Sequence, residues 1–123
     1  MFNEKTIAFI GSGIMAEAMI RGLINNNSVA PGQIIASDPW QERLNQLQEK
    51  YGIQTTKDNR EAAENGQIIV LSIKPQTVPI VAPEIRGHLR SRDLLLSIIA
   101  GTPIKKLAFI TLKTQWSKTQ YGR

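Results

Sequence analysis

The chain has 123 residues with 41% hydrophobic and 20% charged content, which suits one compact globular domain and excludes a fibrous or disordered chain. It contains no cysteine, so a disulfide framework, a thiolate metal site and a cysteine nucleophile are excluded, in keeping with a reducing, cytoplasmic setting. The net charge of +5 belongs to the end of the chain: ten acidic and ten basic residues cancel over 1–104, and Lys105, Lys106, Lys113, Lys118 and Arg123 supply the excess, which argues against a nucleic-acid face across the fold.

Residues 6–10 read as an apolar strand that ends at once in Gly11-Ser12-Gly13-Ile14-Met15-Ala16, a Gly-x-Gly-x-x-Ala turn. A strand that stops in such a turn and restarts as a helix is how a βα unit holds the pyrophosphate of a dinucleotide. Gly11 permits the tight turn, Gly13 lets the backbone come close to the phosphates, and Ala16 keeps the helix near the strand. The helix N-terminus adds unpaired N–H groups and a positive dipole end. This helix is predicted to align Met15, Ala18, Met19, Gly22 and Leu23 on one face and to end at Asn25-Asn26-Asn27-Ser28. Pro31-Gly32 turns the chain into a second strand over 33–37. A helix over 39–51 follows, with Trp40, Leu44, Leu47 and Tyr51 on one face and Gly52 as its terminator.

A short strand at 53–55 comes next, then a short helix over 58–65 opened by a capping pair, Asp58 and Glu61. The run Gln67-Ile68-Ile69-Val70-Leu71-Ser72-Ile73 is nearly continuous in apolar residues, as a parallel strand covered on both faces should be, and Lys74-Pro75 stops it. Pro79 and Pro83 predict a loop and a partial helix near 82–89, and residues 93–98 read as a fifth strand ending at Ala100-Gly101. Strands alternating with helices predict an α/β domain: a Rossmann-type parallel sheet with helices on both faces and strand order 3-2-1-4-5. No apolar run approaches the ~20 residues of a membrane span, and Glu4 and Lys5 ahead of the first strand do not match a secretory signal.

Asp38 is the acidic residue at the end of the second strand. It can accept hydrogen bonds from an adenosine ribose, which favours NAD. It can equally cap the next helix, with Pro39 at N1 and Gln41 at N3. Ser37 beside it can bond a 2′-phosphate and Arg43 can neutralise one, so NADP and NAD both stay open. Trp40 either flanks the adenine or is the first apolar residue of its helix stripe. Lys74, just past the fourth strand, lies on the edge where open α/β sheets bind ligands, although loop lysines are commonly only solvated. Ala100-Gly101 ends the fifth strand on the same edge. His88, the sole histidine, stands among Arg86, Arg90 and Arg92 and reads as part of a solvated helix end. No metal-ligand spacing and no serine or threonine with a base partner is present, so metal ligands are assigned as none; catalytic residues are also assigned as none, on the family resemblance given next.

Four blocks in order carry a family resemblance: Ile-Gly-Ser-Gly-Ile-Met-Ala, Ala-Ser-Asp-Pro, Ser-Ile-Lys-Pro-Gln and Ser-Ile-Ile-Ala-Gly. Over residues 5–107 the chain resembles the cofactor-binding half of pyrroline-5-carboxylate reductase. The resemblance implies hydride transfer from NADPH or NADH to the C=N bond of 1-pyrroline-5-carboxylate, giving proline. It implies cofactor contacts at Ile10, Gly11, Ser12, Gly13, Ile14 and Met15, at Ser37, at Ser72, Ile73, Lys74 and Pro75, and at Ile99, Ala100 and Gly101; Asp38 keeps NAD in play. The family continues into a helical domain for dimerisation and substrate binding. The text after Leu107 lacks the family signature, so residues 1–107 are expected to form the dinucleotide domain and 108–123 a divergent basic tail, disordered or frame-shifted. On that expectation the sheet is incomplete on its C-terminal side and the isolated chain is inactive. The alternatives are a non-catalytic nucleotide-binding fragment and another small Rossmann reductase of the coenzyme F420-dependent NADP type, against which the block at 72–76 argues.

Overall fold

The structure is a computed structural model that describes residues 5–89 and the backbone of Leu94–Ser97. Five strands, β1 (Ile7–Ile10), β2 (Ile34–Ser37), β3 (Gln54–Thr56), β4 (Ile68–Leu71) and β5 (Leu94–Ser97), form one sheet in the order β3-β2-β1-β4-β5. Every neighbouring pair is parallel, with Ile10 level with Ser37 on one side and Leu71 on the other. The carboxyl ends of β1, β2 and β4 therefore meet on one edge, with the strand-order reversal between β1 and β4. This is the predicted sheet.

Helices α1 (Ile14–Asn25), α2 (Gln41–Tyr51), α3 (Asn59–Asn65) and α4 (Val78–Ile85) cover its two faces. Because successive strand residues point to opposite faces, β1 divides its side chains between two cores. Ile7 and Phe9 pack with Ala16 and Ile20 of α1 and Leu47 of α2. Ala8 and Ile10 pack with Ala62 and Ala63 of α3 and Val81 and Ile85 of α4. Both faces of β1 are thus dry, which explains why its sequence is apolar throughout rather than alternating.

Several boundaries differ from expectation. The buried residues of α1 are Ala16 and Ile20, with Met19, Leu23 and Ile24 packed beside them, whereas Met15 and Ala18 are exposed. The glycine turn sets the rotation of α1 by seating Ala16 against the sheet, and that moves Met15 to the mouth of the turn. Helix α2 starts at Gln41 with Trp40 as cap residue, so Asp38 is not its N-cap, and Trp40 is 75% exposed rather than part of the stripe of Leu44 and Leu47. Gly52 ends α2 in the left-handed conformation, as predicted.

Asp58 caps α3 by accepting from the Arg60 N–H, but Glu61 does not complete a reciprocal box. The Asp58 N–H instead donates to Thr56 Oγ1 (3.1 Å), and the Thr56 hydroxyl donates to Glu61. Helix α4 occupies Val78–Ile85 rather than 82–89. Pro79 falls in its first turn, where no backbone donor is needed, and Val78, Val81 and Ile85 are all buried. Among the described residues no helix is long and apolar enough to cross a membrane.

Candidate functional site

The turn after β1 is shaped from three sides. Gly11 has φ +94°, and a Cβ there would lie 2.7 Å from both the Ser72 carbonyl oxygen and Ile73 Cγ2. Only glycine fits that combination of backbone angle and close approach. The Gly11 N–H donates to the Ser37 carbonyl (3.0 Å). The Ser12 hydroxyl, wholly buried, donates to the same carbonyl (2.9 Å). From the other side, the Ser72 hydroxyl donates to the Gly11 carbonyl (2.6 Å) and its N–H to the Ile10 carbonyl (2.9 Å). The glycine turn is thereby tied to the ends of both β2 and β4.

The turn's carbonyls are held from outside as well. Arg43 of α2 donates through Nε to the Ser12 carbonyl (2.6 Å) and through Nη2 to the Gly13 carbonyl (3.2 Å) and Glu17 Oε1 (2.8 Å). Glu17, in the first turn of α1, also accepts from the Tyr51 hydroxyl (2.7 Å) and Lys50 Nζ (3.2 Å). The Tyr51 hydrogen bond, then the Arg43 one, with Lys50 adding, hold the Glu17 carboxyl down to about 2 against the burial that pushes it up. Two cations offset this carboxylate, so it does not leave net negative charge beside the anion-attracting end of α1. Sequence patterns alone missed this network, because Glu17 lies 26, 33 and 34 residues from its partners and shares no helix with them.

The Ser12 N–H donates to Asp38 Oδ2 (3.2 Å), and the Trp40 N–H donates to Asp38 Oδ1 (3.0 Å). This fixes a half-buried carboxylate at the β2 edge of the turn. Ser37, by contrast, is fully buried, and its hydroxyl donates to Asn59 Oδ1 (2.7 Å). Ser37 and Arg43, the two side chains that sequence offered to a 2′-phosphate, are both engaged inside the protein. The buried Ile10 side chain belongs to the sheet core, which leaves only its backbone at the turn.

A cleft of about 250 Å³ lies over the turn, lined by Gly13, Ile14, Met15, Ser72, Ile73, Lys74 and Pro75. Ile14 (86%) and Met15 (55%) are unusually exposed for apolar residues and form one wall. Lys74, at the other wall, is exposed and makes no ion pair among the described residues. A Cβ added at Gly13 would meet nothing within 4 Å, so its side of the turn faces open space. The first amides of α1 have no intrahelical acceptor, since the helical ladder begins with the Glu17 N–H donating to the Gly13 carbonyl. Open space, unpaired donors and a lysine together fit a pyrophosphate and one end of a dinucleotide. Ile99, Ala100 and Gly101 lie outside the described residues, as does the tail at 108–123. His88 is partly exposed and pairs through Nδ1 with Glu64 Oε2 (2.5 Å), away from this cleft. No group of three or more histidine and carboxylate residues that could hold a metal ion occurs among the described residues.

The parallel sheet, the glycine turn at its switch point and the acidic end of β2 define a dinucleotide-binding Rossmann-type domain. The chain belongs to the NADP oxidoreductase, coenzyme F420-dependent family, whose model matches residues 6–101. It is 38% identical over 104 residues to the pyrroline-5-carboxylate reductase of Methanosarcina acetivorans, covering 85% of this chain and 38% of that one. Among solved structures, it is similar to a pyrroline-5-carboxylate reductase from Coxiella burnetii (TM-score 0.81, 32% identity, 89% of this chain and 40% of that one). It is also similar to the Plasmodium falciparum pyrroline carboxylate reductase with NADP bound (TM-score 0.76, 26% identity, 90% of this chain and 39% of that one). The chain thus spans about 38% of the length of the curated relatives it matches.

Proposed function

We propose that this chain is the cofactor-binding part of a pyrroline-5-carboxylate reductase, which reduces 1-pyrroline-5-carboxylate to proline with NADPH or NADH. The observation that carries the reading is the hydrogen bond from the Ser72 hydroxyl to the Gly11 carbonyl, which joins the turns after β1 and β4 into one cleft at the sheet's switch point. A nicotinamide bound there supplies the hydride. The protein's part is to fix the ring: the amides at the start of α1 take the pyrophosphate, Lys74 adds a cation, and Ile14, Met15 and Ile73 give the ring an apolar wall that sheds water. Ile99, Ala100 and Gly101 are assigned to the same site by resemblance alone.

The matched residues correspond to about 38% of the relatives' length, and in this proposal the substrate is oriented by the remainder. Residues 1–107 form the cofactor unit and 108–123 a basic tail without a part in it. The 123-residue chain therefore binds nicotinamide dinucleotides and shows no proline-linked turnover by itself. Titration of the purified chain with NADPH and NADH, followed by nicotinamide fluorescence, tests this; absence of binding by both overturns it. A second reading, hydride exchange between NADP and coenzyme F420, has the family description behind it. Reduction of that deazaflavin, rather than of the cyclic imine, by the chain joined to a reductase substrate domain would favour it.

A further inference from the structure

Resting on the dinucleotide reading above, we propose that this site prefers NAD(H) to NADP(H), with Asp38 as the discriminating residue. The Asp38 carboxylate is pinned by two backbone donors, Ser12 N–H from the glycine turn and Trp40 N–H from the entry to α2. Each oxygen keeps further acceptor capacity. Two fixed acceptors suit the vicinal hydroxyls of an adenosine ribose. They oppose a 2′-phosphate, which brings acceptors and negative charge where acceptors and negative charge already stand.

A phosphate could still be accepted if a cation or hydroxyl were at hand. The Ser37 hydroxyl is fully buried and donates to Asn59. Each guanidinium nitrogen of Arg43 has a protein acceptor: Nε on Ser12, Nη2 on Gly13 and Glu17, and Nη1 on Gln46 (3.4 Å). Lys50 is paired with Glu17 and Arg60 with Asp58. Lys57 is the remaining described cation on this edge, one residue past Thr56, whose carbonyl accepts the Asp38 N–H (3.3 Å). It is exposed, on a long flexible stem, and costs side-chain entropy to immobilise. The balance at β2 is thus set by the fixed carboxylate.

The test compares NADH with NADPH on the 123-residue chain by calorimetry. NADH is expected to bind about tenfold tighter, equivalent to about 1.4 kcal/mol. In Asp38→Asn, with folding checked by circular dichroism, the ratio is expected to fall to within about threefold as the repulsion is removed. Competition by ADP against adenosine 2′,5′-bisphosphate isolates the adenosine end, where ADP is expected to win. Equal or tighter NADPH binding in the unmodified chain overturns the preference while leaving dinucleotide binding intact. If that NADPH binding is lost in Lys57→Ala, Lys57 is the phosphate's partner instead. Failure of both dinucleotides to bind overturns the underlying reading, and the preference with it.

Discussion

Arg43 donates its Nε–H to the Ser12 carbonyl at 2.6 Å, although the two residues are 31 positions apart. The Gly11 carbonyl of the turn is taken by the Ser72 hydroxyl, and the next two carbonyls, of Ser12 and Gly13, face α2, where Arg43 donates to both. Its planar fork matches two successive carbonyls and a carboxylate at once. The residue positions the cradle without belonging to the cradle's surface.

Arg43→Ala is expected to weaken dinucleotide binding about tenfold and to cost about 2 kcal/mol of stability, because it frees the turn and leaves Glu17 short of a partner. Arg43→Lys separates the two effects. It keeps a cation near Glu17 but not the fork, so denaturant melts should recover more than the titration does. Equal recovery of both would argue against a positioning role.

Glu17 sets an acid limit on the same network. Its carboxyl is lowered from 4.5 to about 2 by Tyr51, Arg43 and Lys50, and its side chain is only 16% exposed. A depressed carboxyl stabilises the fold fully above the unfolded value and loses that contribution as pH falls from 4.5 through about 2. Glu17→Gln should therefore cost about 2 kcal/mol at neutral pH, after allowance for solvent screening, and nothing extra near pH 2. Acid unfolding followed by circular dichroism should show a shallower loss of stability for the variant across that window.

The sheet was legible because its central strands announce themselves locally: Ile68–Leu71 is apolar throughout, and such a run has few alternatives, whereas the polar, partly exposed β3 is marked only weakly and lies one residue later than the expected 53–55. The glycine turn was legible because its chemistry lies within six consecutive residues, 11–16. What was hidden depends on contacts between distant positions. The phase of α1 follows from Ala16 seated on the sheet, and the start of α2 from Asp38 turning back to Ser12. Gly66 attracts no notice in sequence, yet a Cβ there would lie 2.7 Å from the Ala8 Cβ, so close packing on β1 requires it. Spacing along a chain carries no record of such pairs.

Lys74 stands at the cleft wall without an ion-pair partner among the described residues. Lys74→Ala is expected to weaken NADH and NADPH alike, about fivefold to tenfold at low salt, and to leave stability within about 0.5 kcal/mol. The loss should shrink as ionic strength rises, because an exposed charge is screened. A loss confined to NADPH would place Lys74 at the 2′-phosphate instead of the pyrophosphate.

Gly11→Ala tests the architecture of the turn. A Cβ at φ +94° meets Ser72 and Ile73, and Ser72 is itself bonded to the Gly11 carbonyl, so neither neighbour can retreat cheaply. The expected cost is about 3 kcal/mol, read as a lower denaturant midpoint.

Gly13→Ala should behave in the opposite way, although the two glycines are two residues apart. Gly13 has φ −83°, which alanine adopts readily, and the added methyl would meet no protein atom within 4 Å. Stability should change by no more than about 1 kcal/mol, since alanine has less freedom to lose on folding, which offsets the advantage glycine holds over it at the N-cap of α1. The methyl would instead occupy the side from which a phosphate approaches, so dinucleotide affinity should fall by about tenfold or more. A variant that melts like the unmodified chain but no longer binds would locate the cofactor at this turn without any contribution from misfolding. Retained affinity in Gly13→Ala would mean that the open space above the turn is not where the phosphates sit.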